Sequence, residues 1–149
     1  MRALLQRVSH ANVIVDHKEI GRTERGLLIL LCAMDGDTED EAVYLASKIA
    51  KCRLFPDENG KTNLSILDIQ GAALVVSQFT LSASWKKGNR PGFSAAADPE
   101  TAKALYHSFC KKLEAAGVPV ETGEFAASMQ VNLSNEGPFT IWMDTQQPT

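Results

Sequence analysis

The sequence predicts an α+β chain: a single domain, residues 1–149, with a strongly curved, barrel-like β-sheet and two covering helices. Three observations carry that prediction. Two unbroken apolar runs, Gly26 to Met34 and Ala72 to Val76, read as strands buried on both faces. Two further stretches, each opened by a capping residue, repeat apolar side chains at helical spacing. The chain has 149 residues, 44% of them hydrophobic, which is enough for one domain with a real core.

Taken in order, residues 2–8 read as a strand, Ser9-His10-Ala11 as a brief break or bulge, and Asn12–Val15 as a second strand. A turn at Asp16–Glu19 leads to a return strand from Ile20. After the run to Met34, Thr38-Glu39-Asp40-Glu41 fits a capping box. Ala42, Leu45, Ala46 and Ile49 then form an apolar stripe on a helix that ends near Cys52. Arg53-Leu54-Phe55 and Asn63–Ile66 are short extended pieces around a Pro56–Lys61 turn, and the chain enters a buried strand over 72–81. A loop with three positive charges and two aromatics follows, from Ser82 to Ser94. Asp98-Pro99 opens the second helix, with Ala102, Leu105, Tyr106, Phe109 and Leu113 as its stripe and Gly117 as its stop. Val118–Thr122, Met129–Leu133 and Phe139–Met143 are extended, and residues 145–149 are expected to be a frayed tail. Apolar faces and sheet edges left over in so small a domain predict a homodimer.

A net charge of -3 argues against a general nucleic-acid binder, although a local basic patch stays open. Cys32, Cys52 and Cys110 lie in apolar or helical segments without zinc-like spacing and read as reduced, buried thiols. The opening residues do not pattern as a signal peptide, because Arg7 interrupts the apolar run. The longest apolar run is too short to cross a bilayer, so no membrane association and a cytoplasmic location are expected.

There is no dinucleotide fingerprint and no phosphate-binding loop. His10, His17 and His107 share no metal-ligand spacing with each other or with carboxylates, so neither metal nor cofactor is expected. Ser77 and Thr80 stand at a strand end, where a hydroxyl is either a nucleophile or a partner for neighbouring backbone. A nucleophile needs a base, and no partner is evident. Catalysis there would rest on positioning and backbone dipoles. Gly137-Pro138 is either a tight turn before the last strand or a fixed peptide aiming carbonyl oxygens into a site, where they would suit an ammonium group.

Two motifs, Ser77-Gln78-Phe79-Thr80-Leu81 and Asn135-Glu136-Gly137-Pro138-Phe139-Thr140, stand in this order and separation. Gly60–Leu64, Arg90–Ser94, Phe125-Ala126-Ala127 and Met129-Gln130-Val131 support them. With these the chain resembles the D-aminoacyl-tRNA deacylases over nearly its whole length. The resemblance implies a deacylase-type fold and a homodimer in which Gly137-Pro138, a cis peptide, enters the partner subunit's site. It implies that the Gly137 and Pro138 carbonyls hold the substrate ammonium and exclude an L side chain. Ser77, Gln78, Phe79 and Thr80 then line the facing wall, with amides near Phe79 and Thr80 polarising the ester. Arg7 braces the incoming Gly-Pro segment, and Phe125 and Met129 form the pocket for the terminal adenosine. The terminal ribose hydroxyl assists hydrolysis, with no protein nucleophile. The substrate is aminoacylated tRNA at its 3′ end, and Lys86, Lys87 and Arg90 are candidates for its phosphates. The family pattern usually has valine where this chain has Phe139, which bears on tolerance for glycine or small L residues. The alternatives are a tRNA editing deacylase of relaxed stereospecificity and a non-enzymatic nucleic-acid-binding dimer.

Overall fold

The structure is a computed structural model, and it describes residues 1–147. Eight strands and two α-helices are described: β1 (Arg2–Val15), β2 (Lys18–Thr23), β3 (Gly26–Cys32), α1 (Glu39–Lys51), β4 (Arg53–Pro56), β5 (Thr62–Ser65), β6 (Ala72–Ser77), α2 (Pro99–Ala115), β7 (Val120–Thr122) and β8 (Gln130–Asp144). Both helices start as their sequences dictate. Thr38 and Glu41 exchange hydrogen bonds in a complete capping box. The Asp98 carboxylate accepts from the amides of Glu100 and Thr101. Past α2, Gly117 takes a φ of 103°, a left-handed conformation open to glycine.

The main sheet is organised on β1. One edge of β1 pairs with β8 along most of its length; the other pairs with β3 through residues 2–8 and with β2 through residues 11–15. Because β2 and β3 run the same way, they form two segments of one long arm folded back against β1. Beyond β3 come β6 and β7, each parallel to its neighbour. The curled β2 returns to β7, where the Arg22 amide donates to Glu121 Oε2 at 2.7 Å. A Cβ added at Gly21 would stand 2.4 Å from the Thr122 carbonyl oxygen, so the sheet is nearly closed into a barrel. At the root of the parallel pair, a Cβ at Gly26 would lie 1.8 Å from the Ala72 carbonyl. Only glycine allows that approach.

The two buried runs behave as their composition predicts. Leu27, Ile29 and Leu31 of β3 and Ala73 and Val75 of β6 face the layer of α1 and α2, with Phe109 and Leu113. Leu28, Leu74 and Val76 point the other way, into a smaller cluster with Val8, Ala11 and Val13.

Several expectations are corrected. Residues 2–15 are one strand rather than two, although the irregularity at Ser9-His10 is real. The core face moves from Ala3 and Leu5 to the opposite face at Val8, and then to Ala11 and Val13, three residues on from Val8. A bulge reverses the alternation without ending the strand. Strand β6 stops at Ser77 instead of reaching Leu81; residues Phe79–Ser82 form a 3-10 turn. The local reason is hydrogen bonding: Ser82 Oγ donates to the Phe79 carbonyl at 2.7 Å and the Leu81 amide to the Gln78 carbonyl at 3.1 Å. The extended pieces at Met129–Leu133 and Phe139–Met143 are the two ends of a single strand, β8. The expected tail is held at its beginning, since the Thr145 amide donates to the Met1 carbonyl at 2.9 Å. Residues 148 and 149 lie outside the described residues.

Candidate active site

At the carboxyl ends of the parallel strands β3 and β6 opens a cavity of about 610 Å³. Of the residues singled out in the sequence, Ser77, Gln78, Phe79, Phe125 and Met129 line it. Thr80 stands just behind, where its Oγ1 accepts from the Gln78 side-chain amide. The 3-10 turn carrying Phe79 and Thr80 is tied down from three directions. The Gln78 amide donates to the Leu31 carbonyl at 2.8 Å, extending the β3–β6 ladder. Arg2 Nη1 donates to the Leu81 carbonyl at 2.9 Å while its Nε bonds Asp144 at 2.9 Å. The Ser82 hydroxyl closes the turn internally. As the first amides of the turn, those of Phe79 and Thr80 have no acceptor within it, so they remain available to a ligand.

The opposite wall is the segment between β7 and β8. It roots where the Val75 carbonyl accepts both the Gly123 amide at 3.2 Å and the Tyr106 hydroxyl at 2.8 Å. Tyr106 also packs on Phe125, with ring centroids 6.0 Å apart. Ala126 adopts a φ of 63°, which turns the segment back over the cavity. Phe93 completes the mouth, meeting Phe79 edge to face at 5.2 Å.

The chemistry of this lining is restrictive. Among the described residues, no histidine, carboxylate, lysine or arginine contributes to it. Among the described residues no three His, Cys, Asp or Glu side chains gather as a metal would need. The titratable side chains present are poorly suited to nucleophilic or basic work. Burial pushes the Cys32 thiol up to about 11, and Asp37 adds to the effect. Burial also raises the Tyr106 hydroxyl above its ordinary value. Both stay protonated at neutral pH. Away from the cavity, burial pushes the Cys110 thiol up to about 12.

Gly137 and Pro138 do not line this cavity. They sit within β8, joined by a cis peptide bond, rather than in a turn before it. Their prominence follows from register: Asn135 pairs with Val8 and Thr140 with Gln6, so four residues, Glu136 to Phe139, face Arg7 alone. The excess chain bulges from the sheet, leaving Gly137 and Pro138 exposed. Arg7 braces this segment of its own chain. Its guanidinium lies 4.0 Å from the centre of the Phe139 ring, Nε is 3.6 Å from Glu136 Oε2, and Nη1 donates to the Leu54 carbonyl at 2.7 Å. Phe139 is half-buried and packs against the main core, so its volume fills space behind the bulge.

Lys86, Lys87 and Arg90 do not reach the cavity. They are exposed, beside the 70% exposed Trp85, on a loop pinched shut by hydrogen bonds between Ser84 and Gly92 at 2.8 and 2.9 Å. Sequence reasoning missed Arg2, Cys32, Phe93, Tyr106 and the side-chain role of Asn135. For Tyr106 a signal existed, as a hydroxyl inside an otherwise apolar helical stripe needs a partner. The others depend on contacts between distant segments.

A family model described as D-Tyr-tRNA(Tyr) deacylase matches residues 4–144. A D-aminoacyl-tRNA deacylase of Ruegeria pomeroyi is 61% identical over 144 residues, covering 97% of this chain and 99% of that protein. One of Paracoccus denitrificans is 59% identical over 145 residues, covering 97% of each. Among solved structures, the c-Myc DNA Unwinding Element Binding Protein superposes with a TM-score of 0.92 at 39% identity, covering both chains fully. A structure described as a probable eukaryotic D-amino acid tRNA deacylase, with a TM-score of 0.80 at 18% identity over 95% of this chain and 97% of that one, shares the fold. With matches of this extent and identity, the chain belongs to the D-Tyr-tRNA(Tyr) deacylase family.

Proposed function

We propose that residues 1–149 act as one deacylase domain that hydrolyses the ester joining a D-amino acid to the 3′-terminal adenosine of tRNA. Water adds across the ester, giving the free D-amino acid and restoring the ribose hydroxyl. The observation that carries this reading is the cavity at the end of β6: it offers two backbone amides and a fixed apolar wall, and no general base. Such a site works by holding and polarising a reactive ester, not by attacking it. The amides of Phe79 and Thr80 receive the carbonyl oxygen, with Ser77 and Gln78 beside them. Phe125 and Met129 take the adenosine face to face with an apolar surface, and the substrate's own vicinal ribose hydroxyl assists the water.

The site is completed by a second copy of the chain. What supports this is the separation between cavity and bulge, since Glu136–Phe139 contribute nothing to the cavity of their own subunit. From the partner, the Gly137 and Pro138 carbonyls hold the ammonium group, and the bulge leaves room for hydrogen but not for an L side chain. The same geometry admits glycine, which has no side chain to exclude. Arg7 braces the bulge in each subunit. No helix is long and apolar enough among the described residues to cross a membrane. The substrate places the enzyme in the cytoplasm.

Incubation with matched D- and L-tyrosyl-tRNA tests the function: faster release from the D substrate is expected, and equal rates would reject it. Thr80→Ala is expected to lower the rate by less than about tenfold, the loss of one neutral hydrogen bond worth about 1 kcal/mol. Complete loss of turnover with folding and tRNA binding intact would instead make Thr80 a nucleophile. Lys86, Lys87 and Arg90 are placed on the acceptor-stem phosphates. Changing all three to glutamine should reduce the magnitude of the slope of log binding constant against log salt by about 2.7, while leaving hydrolysis of a D-aminoacyl-adenosine ester unaltered. An unchanged slope would remove these residues from the tRNA interface. A binding-only protein, as the name of the 39% identical relative suggests for that protein, would retain nucleic acid without turnover.

A further inference from the structure

We infer that Asn135 is the positioning residue that fixes how far the Gly137-Pro138 bulge projects. This inference rests on the function proposed above and adds a residue to it. Where four residues of β8 face Arg7 alone, the ladder cannot supply the usual hydrogen bonds. Asn135 replaces them from its side chain. Its Nδ2 donates to the Arg7 carbonyl at 2.9 Å and to the Phe139 carbonyl at 3.0 Å. Both partners are carbonyl oxygens, so the atom between them must be the amide nitrogen, and the orientation of the side chain is settled by its surroundings.

The consequence is mechanical. Arg7 lies on the unbroken strand and Phe139 at the far foot of the bulge, so one amide group spans the gap that the extra residues open. It draws the feet together, and the chain between them, Glu136-Gly137-Pro138, is forced outward. The other side of the same amide lies close to Gly137: Asn135 Oδ1 is 3.3 Å from the place a Cβ there would occupy, so a side chain at this position would crowd the strut. Asn135 itself is exposed, so its replacement removes little buried surface. It touches no part of the cavity and acts through Gly137 and Pro138.

Asn135→Asp keeps the shape but puts a carboxylate against two carbonyl oxygens, and Asn135→Ala removes the strut. Both variants should lose D-over-L discrimination on matched tyrosyl-tRNAs by at least about tenfold, since displacement by about 1 Å costs up to 10²-fold in such sites. The melting temperature should move little. The loss should come mainly from faster L cleavage, which a general loosening of the enzyme would not produce. Hydrogen exchange of the peptide covering residues 134–141 should accelerate in both variants. Asn132→Ala, which removes the exposed amide contact from Asn132, on the same strand as Asn135, to Asn12 of β1, should change neither readout. Discrimination and exchange equal to those of the unaltered protein would overturn the inference. The exchange arm reads the strut even if the unaltered protein proves not to prefer D substrates, so failure of the proposed function and failure of this inference are distinguishable.

Discussion

Arg7→Ala should lower D-selective cleavage by about 10²-fold, the cost of letting a positioning element move. The guanidinium ties three features together: the Leu54 carbonyl before the β4–β5 turn, the Phe139 ring and the Glu136 carboxylate. Its removal forfeits a charge-assisted hydrogen bond and a cation–aromatic contact on a side chain only 11% exposed. Together these are worth about 2–4 kcal/mol of stability. Lysine should not rescue the variant, because an ammonium lacks the flat face that lies over Phe139 and the fork that reaches Leu54. Chemical denaturation and single-turnover hydrolysis measure the two effects separately. Cleavage by Arg7→Ala at the rate of the unaltered protein would mean that the bulge keeps its place without this clamp.

The second large effect is purely structural. Phe109 is 0% exposed and lies with Leu113 between α2 and the sheet. Phe109→Ala should cost about 3–5 kcal/mol, from lost transfer energy and the cavity left behind. For a chain of this size that corresponds to a melting temperature lower by roughly 6–20 °C. Phe109 is not part of the cavity lining, whereas Tyr106, one turn earlier on the same helix, is. D-over-L discrimination by Phe109→Ala, measured well below its melting temperature, should therefore be unaltered. A change in discrimination would show that the site depends on the packing of α2 more broadly than Tyr106 and its bond to Val75.

The difference between Phe109 and Tyr106 marks what could be read in advance. Helical spacing placed both on one apolar stripe, and capping chemistry at Thr38 and Asp98 set where the helices begin. The runs at Gly26 and Ala72 announced strands covered on both faces, since apolar residues fill every position. Such features are local, so the sequence carries them. The end of β6 is not legible because residues 78–81 continue a strand-like composition, while the Ser82 hydroxyl on the Phe79 carbonyl and the Leu81 amide on the Gln78 carbonyl turn the chain. The Gly137-Pro138 bulge was invisible for a different reason. A bulge is a mismatch of count between paired strands, and it exists only once Val8 has met Asn135 and Gln6 has met Thr140. The two motifs named the site through family resemblance; the register explains why one of them projects.

A complementation experiment shows whether the cavity of one subunit is completed by the bulge of another. One variant, Phe125→Ala with Met129→Ala, carries a damaged cavity and an intact bulge. A second, with Gly137–Phe139 deleted, carries an intact cavity and leaves Glu136 facing Arg7 in a regular ladder. Each should be inactive alone on D-tyrosyl-tRNA. Random pairing after co-expression should restore about a quarter of the sites, because half the dimers are mixed and one of their two sites combines both intact parts. Mixed dimers isolated through two different tags, yet without activity, would mean that the bulge of one subunit does not complete the cavity of the other.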